Sequence, residues 1–196
     1  AGLSTRMGRF KLLLPWDGST VIGRVVDTLS KTQIDETLVV TGHRSDEVAH
    51  ELASTAAHLV RNPRYEDGEM LHSLQTALAA LGAGVEAALL CLGDQPQLKA
   101  ATVDAVLDAG RATGWSRVIL PSFQRHAGHP ILLPRAIWPA VMASDRNLRA
   151  VLREHRAMVQ YLEVESDTIL ADLDVPSDYA AALAALEAVH GVSRDD

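Results

Sequence analysis

Ala87-Ala88-Leu89-Leu90-Cys91-Leu92-Gly93-Asp94-Gln95-Pro96 decides how this chain is read. Six apolar residues in a row, ended by a glycine and a carboxylate, describe a strand buried on both faces that stops at a polar turn. It is the most apolar strand of the chain, which places it centrally in a parallel sheet. Ligands of open α/β sheets bind outside the carboxyl ends of the strands, so Asp94 is the first candidate site residue. A carboxylate there is poorly solvated unless it is paired or bound to a cation. Magnesium takes one or two carboxylates together with phosphate oxygens and water. An aspartate in a turn near proline is the plainer reading of the same residues.

Strands and helices alternate outward from this run. Upstream, Ser19 is placed to cap a helix carrying Val21, Ile22, Val25, Val26 and Leu29 on one face. Thr37–Thr41 reads as a strand ended by Gly42, residues 46–54 as a helix, His58–Val60 as a short strand, and Leu71–Leu81 as a helix stopped by Gly82 and Gly84. Downstream, Thr102–Ala109 reads as a helix and Arg117–Leu120 as a strand closed by Pro121. A short strand at Ile131–Leu133 leads to helices near Ala136–Met142 and Leu148–His155. Met158–Val164 is a late strand, and Pro176 suits the first turn of a last helix ending near His190. This order predicts a three-layer α/β fold with a mostly parallel sheet. Residues 1–196 show no linker, repeat or low-complexity segment and read as a single domain.

The chain opens on Gly2-Leu3-Ser4-Thr5-Arg6-Met7-Gly8-Arg9-Phe10-Lys11 before Leu12-Leu13-Leu14-Pro15. Glycines let backbone N–H groups surround an anion, and Arg6 and Lys11 add fixed positive charge, as a triphosphate requires. No lysine follows the last glycine, so this is not P-loop spacing. A phosphate loop normally follows a buried strand; none precedes Gly2, and the expectation is that a first strand is missing. A tail that merely contains glycine and basic residues is the alternative.

Composition narrows the ligand. The net charge of −7 argues against broad nucleic-acid or membrane-surface binding, so an anionic ligand needs a local basic site. Cys91 is the only cysteine, which excludes an intrachain disulfide and a cysteine zinc site, and it reads as a small buried hydrophobe. With no apolar run of spanning length and no visible signal peptide, a cytoplasmic location is expected.

Three further segments carry candidates. His129, between Gly128 and Pro130, can contact a phosphate or acceptor, or simply tie its loop to a strand. His126 and His129 hint at a metal pair, without the further ligands zinc needs. Asp172 and Asp174 lie in Asp172-Leu173-Asp174-Val175-Pro176-Ser177-Asp178; Asp174 either contributes to a metal site or serves the helix N-terminus, as Ser177 also could. His72, beside Ser73 near a helix start, could face a nucleotide, although a structural place suits it better. Gly82-Ala83-Gly84-Val85-Glu86-Ala87 fits a dinucleotide fingerprint in spacing but follows a helix and enters a strand, the reverse of what that motif needs. No Gly-x-Ser-x-Gly elbow occurs.

Taken together, the opening loop, Asn62-Pro63 with Gly68-Glu69-Met70 and Ser73-Leu74, Gly93-Asp94-Gln95-Pro96, Gly128-His129-Pro130 and residues 172–178 resemble the MobA-like nucleotidyltransferase family, in order and over nearly the whole chain. The resemblance implies a Rossmann-like nucleotide-diphospho-sugar transferase fold. It also implies nucleotide contacts from Ala1, Gly2, Ser4, Arg6, Gly8, Lys11, Asn62 and Ser73, with Arg6, Lys11 and Asp94 catalytic. Asp94 and Asp174 would hold Mg²⁺, and His129 would meet the acceptor. Ala1-Gly2 is similar to the Ala-Ala-Gly form of the family's molybdenum cofactor cytidylyltransferases, which implies CTP and molybdopterin as substrates and a molybdoenzyme or its chaperone as partner. Two departures bear on the substrate: residues 68–73 are one longer than the usual Gly-Met-x-x-Ser, and Val175 stands where threonine is usual. In the implied reaction an acceptor phosphate oxygen attacks the α-phosphate and pyrophosphate leaves, a step that needs no general base. A sugar or polyol phosphate acceptor, or a non-catalytic cofactor carrier, are the competing readings.

Overall fold

The computed structural model describes residues 7–67 and 70–192. The chain enters through a 3₁₀ turn, Lys11–Leu13, into a two-stranded hairpin, β1 (Pro15–Trp16) and β2 (Ser19–Thr20). Asp17 and Gly18 both have positive φ, 47° and 76°, the twist that two-residue hairpin turns require. Helix α1 (Val21–Ser30) follows, and Val21, Ile22, Val25, Val26 and Leu29 are all buried, as their spacing predicts. Its cap differs by one residue from expectation. Ser19 is committed to β2, and the Thr20 hydroxyl accepts from the Gly23 N–H at 3.1 Å.

Strand β3 (Leu38–Thr41), helix α2 (Ser45–Glu51) and strand β4 (His58–Arg61) form a parallel β-α-β unit. After α3 (Met70–Ala80) come β5 (Ala87–Leu90), α4 (Ala100–Ala112), β6 (Val118–Phe123), β7 (His126–Ala127) and β8 (Ile131–Pro134). Helices α5 (Trp138–Ala143) and α6 (Leu148–Glu154), strand β9 (Val159–Glu163) and helix α7 (Pro176–Val192) complete the order.

The five-stranded sheet runs β5-β8-β6-β7, with β9 also on β6. Only β6 and β9 pair in parallel there; β5 with β8, β8 with β6 and β6 with β7 are antiparallel. The fold is the expected α/β type, but its strand order is mixed instead of mostly parallel. Residues 124–130 explain this, because a parallel return needs a crossover of about a dozen or more residues and β6 instead turns back through a hairpin. Two further expectations change with it. β6 does not stop at Pro121, which pairs with Leu162 of β9. β5, expected in the centre of a parallel sheet, has one described neighbour, β8, and that one is antiparallel.

The period-two alternation of these strands builds the layers. Val118, Leu120, Ile131 and Leu133 pack with Leu71, Leu74 and Leu78 of α3, Trp138 and Val141 of α5 and Val151 of α6. Ile119 and Leu132 point the other way, onto Val25 and Leu29 of α1 and Val103, Val106 and Leu107 of α4. A sheet between two helical layers results.

One feature of the core stands apart. A cavity of about 1050 Å³ separates β3 from β5, at the upper end of ordinary ligand pockets, ~300–1,000 Å³. Leu38, Val39 and Val40 form one wall, Ala87 to Leu92 the other, and Leu74, Ala77 and Leu78 lie along it. β3 has β4 on one edge and β5 has β8 on one edge; no partner is recorded among the described residues for the other edge of either. The most apolar strand of the chain is in consequence only half-buried. Cys91 lines the slot and packs as a partly buried hydrophobe, its thiol pushed up to about 12 by burial. No described helix is long and apolar enough to cross a membrane.

Candidate active site

Three separate segments converge where the slot ends. Lys11 leaves the 3₁₀ turn, Asp94 follows β5, and Asp174 precedes α7. The Lys11 ammonium donates to Asp94 Oδ2 and lies 3.4 Å from Asp174 Oδ1. Lys11 and Asp94 side chains are each 18% exposed and Asp174 is 39% exposed, so the cluster is sheltered yet open to a ligand. Lys11, from the end of the opening basic stretch, thus meets the strand-end carboxylate of Asp94.

Local packing fixes each partner. Leu14 N–H closes the turn on the Lys11 carbonyl at 3.2 Å. Leu12, beside Lys11, packs where Gly93 has no side chain; a Cβ there would lie 3.1 Å from Ile22 Cδ1 and 3.5 Å from Leu12 Cδ2. Gly8 takes φ +65°, a conformation that glycine adopts without strain. Asp178 Oδ2 accepts from the Asp174 and Val175 N–H groups, both at 3.0 Å. The cap bonds at this turn thus go to Asp178, and the Asp174 carboxylate faces Lys11. Ala1, Gly2, Ser4 and Arg6, with Gly68 and Glu69, lie outside the described residues.

Asn62 and Ser73 are also brought together. Asn62 is 1% exposed; its Nδ2 donates to Ser73 Oγ at 3.1 Å and its Oδ1 accepts from the Arg64 N–H at 2.9 Å. Asn62 therefore joins β4 to α3 and orients Ser73, which lines the slot. His72 is mostly buried with Nδ1 3.4 Å from Asp67 Oδ2, and that nitrogen, like His129 Nε2, has no hydrogen-bond partner among the described residues.

His129 and His126 part company. His126 is exposed, its Nδ1 at 3.0 Å from the Gln124 carbonyl. His129 is tucked in, its N–H donating to the Ile169 carbonyl at 3.0 Å. Burial holds the His129 imidazole below its ordinary range, with the Asp94 charge acting in the opposite direction. Its Nε2 is buried without a hydrogen-bond partner. Such an atom is costly unless something satisfies it, and a ligand oxygen beside Asp94 would. Gly128 has no room for a side chain: a Cβ would overlap the Ile169 carbonyl and lie 3.0 Å from Ile169 Cβ. Gly128→Ala is expected to cost about 1–3 kcal/mol, typical of overpacking, read as a lower urea midpoint; an unchanged midpoint would contradict this packing.

Sequence reasoning passed over Gln95. It is 2% exposed, and its Nε2 donates to Asp172 Oδ1 at 2.7 Å and to the Ile169 carbonyl at 3.3 Å. The signal available was an amide in a short turn between two site-like residues, Asp94 and Pro96. Burial raises the Asp172 carboxyl above its usual range, the Gln95 hydrogen bond works against this, and Asp94 and Asp174 add to it.

No group of three or more His, Cys, Asp or Glu able to hold a metal occurs among the described residues. The donor set fits a different kind of ion site. Two carboxylates already hold a cation, the Lys11 ammonium, between them, and magnesium uses few protein ligands when phosphates and water supply the rest.

Residues 1–159 match the MobA-like NTP transferase domain. The chain belongs to that family. As a member of the MobA-like family it is a nucleotidyltransferase, an enzyme that moves a nucleotide moiety from a nucleoside triphosphate to a phosphorylated acceptor. This MobA-like chain is 32% identical over 193 residues to the molybdenum cofactor cytidylyltransferase of Escherichia coli K12, covering 93% of the chain and 91% of that protein. Among solved structures, a nucleotidyl transferase from Methanothermobacter thermautotroptrophicus superposes with a TM-score of 0.78 at 27% identity, covering 93% of this chain and 92% of the other. Rv0371c of Mycobacterium tuberculosis H37Rv, solved in complex with manganese, gives 0.74 at 25% identity over 87% and 89% of the two chains.

Proposed function

We propose that this chain is a Mg²⁺-dependent cytidylyltransferase that transfers CMP from CTP to a phosphorylated acceptor, molybdopterin or molybdenum cofactor, in the cytoplasm. The observation that carries the reading is the Lys11 ammonium shared by Asp94 and Asp174 at the end of the slot. Likeness to the Escherichia coli cytidylyltransferase and the Ala1-Gly2 opening support the choice of base and acceptor.

Asp94 and Asp174 would hold the magnesium ion, which when bound supplies positive charge to the triphosphate. Lys11, with Arg6 from the opening loop, would neutralise phosphate oxygens, and Ala1, Gly2, Ser4 and Gly8 would offer them N–H groups. Ser73, held by Asn62, sits on the nucleotide side, and His129 Nε2 meets the acceptor. An acceptor phosphate oxygen forms a bond to the α-phosphorus; the bond from that phosphorus to the bridging oxygen breaks, and pyrophosphate leaves with the electron pair. The acceptor oxygen is already ionised, so no side chain has to remove a proton. Positioning and charge neutralisation supply the catalysis.

The same reading takes residues 1–196 as one nucleotidyltransferase domain whose sheet is completed by an apolar strand ahead of Ala1. Its support is the slot, which has two strand edges without described partners, apolar walls and an end at Lys11 and Asp94.

Pyrophosphate release, measured with Mg²⁺, each of the four nucleoside triphosphates and molybdenum cofactor, tests the function. CTP-specific, cofactor-dependent release is the expected result. Release with a sugar or polyol phosphate instead would replace the acceptor, and cofactor binding without release would mark a carrier.

A further inference from the structure

The turn after β5 and the segment before α7 are stitched together by three bonds, two of which use one side chain. Gln95 Nε2 donates to Asp172 Oδ1 and to the Ile169 carbonyl, and the Leu173 N–H donates to the Asp94 carbonyl at 3.3 Å. Gln95 and Leu173 are 2% and 1% exposed whereas Asp172 is exposed, so the stitch anchors a surface carboxylate to a buried amide. Gln95 directly follows Asp94, and Asp172 lies two residues before Asp174. A bond between the inner pair therefore sets the separation of the outer pair.

The cluster also has a charge problem. Asp94, Asp172 and Asp174 stand close enough to affect one another, and Lys11 is the cation shared by Asp94 and Asp174. Carboxylates gathered this closely repel one another, and a neutral contact that ties their segments together opposes that repulsion. The Gln95 amide is such a contact: it binds a carboxylate without adding charge.

We propose that Gln95 and Asp172 are positioning residues whose hydrogen bond holds the Asp94 and Asp174 carboxylates at the separation a divalent cation needs. The inference rests on the metal-site reading of those two residues. Cation affinity then depends on a bond that touches neither cation nor nucleotide. Asp172 acts here through its acceptor oxygen, and its negative charge is secondary.

Binding of Mn²⁺ alone to the full chain, followed by electron paramagnetic resonance, tests this without turnover. Gln95→Met, close in shape but without a donor, is expected to raise the half-saturating Mn²⁺ concentration at least tenfold. Asp172→Ala should do the same and, because Asp172 is exposed, provides the comparison if Gln95→Met does not fold. Asp172→Asn keeps an oxygen for Gln95 and should stay within about threefold of the parent. Parent-like binding by a folded Gln95→Met or Asp172→Ala chain overturns the proposal. An Asp172→Asn loss as large as that of Asp172→Ala also overturns it, since charge and not position would then be the cause. If the parent chain binds no Mn²⁺, the metal-site reading itself falls and takes the inference with it.

Discussion

Lys11→Ala is expected to reduce pyrophosphate release about 10²–10³-fold, the loss usual when one preorganised charge-stabilising group is removed from an active site. The ammonium donates to Asp94 and faces Asp174, so its removal withdraws positive charge where phosphate charge gathers and leaves two carboxylates facing each other. The fold should tolerate the change. The 3₁₀ turn is closed by the main chain, Leu14 N–H to the Lys11 carbonyl, and the apolar contacts nearby come from Leu12. A melting temperature within a few degrees of the parent should accompany the lost rate. Lys11→Arg restores charge in a planar fork with other reach and should recover part of the loss. Turnover by Lys11→Ala within threefold of the parent would remove the cluster from the mechanism.

Adding five consecutive Val, Ile or Leu residues ahead of Ala1 is expected to raise the melting temperature by about 5–15 °C. Each side chain buried in the slot contributes about 1.5–3 kcal/mol, against ~1.5 kcal/mol for ordering each residue. The surplus is a few kcal/mol, and domains of this size gain about 2–4 °C per kcal/mol. The added strand would also give hydrogen-bond partners to the edges of β3 and β5 that have none among the described residues, so slower amide exchange in 38–41 and 87–90 should accompany the shift. The same extension with aspartate and proline at its centre should give neither effect. An unchanged melting temperature with unprotected strands would show that the slot takes something other than a strand.

Much of the architecture was legible because it rests on local periodicity. The face of α1, the apolar run of β5 and the proline opening α7 are properties of neighbouring residues, and each element lies where its pattern puts it. Strand direction is a different kind of information. The hairpin that turns β6 back through β7 depends on Gln124 and Arg125 at positive φ, 48° and 69°, and neither residue announces such a turn. The site divides along the same line. Lys11, Asp94 and Asp174 stood out because charge beside apolar strand ends or helix starts is chemically conspicuous. Gln95 and Asp178 did not, since their work is a hydrogen bond to a segment whose proximity only the folded chain reveals; Gln95 and Asp172 are 77 positions apart. The bond from Asn62 to Ser73 was likewise hidden, because an asparagine near a strand end gives no hint of which side chain its amide will meet.

The hairpin and the last helix meet across nearly the full length of the chain. Met7, Leu14, Trp16 and Val21 share a cluster with Leu173, Tyr179 and Leu183, and the Tyr179 hydroxyl donates to the Pro15 carbonyl. The segment carrying Lys11 is thus clipped in place by residues made long after it, and Lys11 and Asp174 are 163 positions apart. During synthesis the early half of the site must wait on the ribosome for its other half. A nascent chain halted before Asp174 presents the lysine and the first carboxylate without the second, so the three-residue cluster closes only after Asp174 has been added.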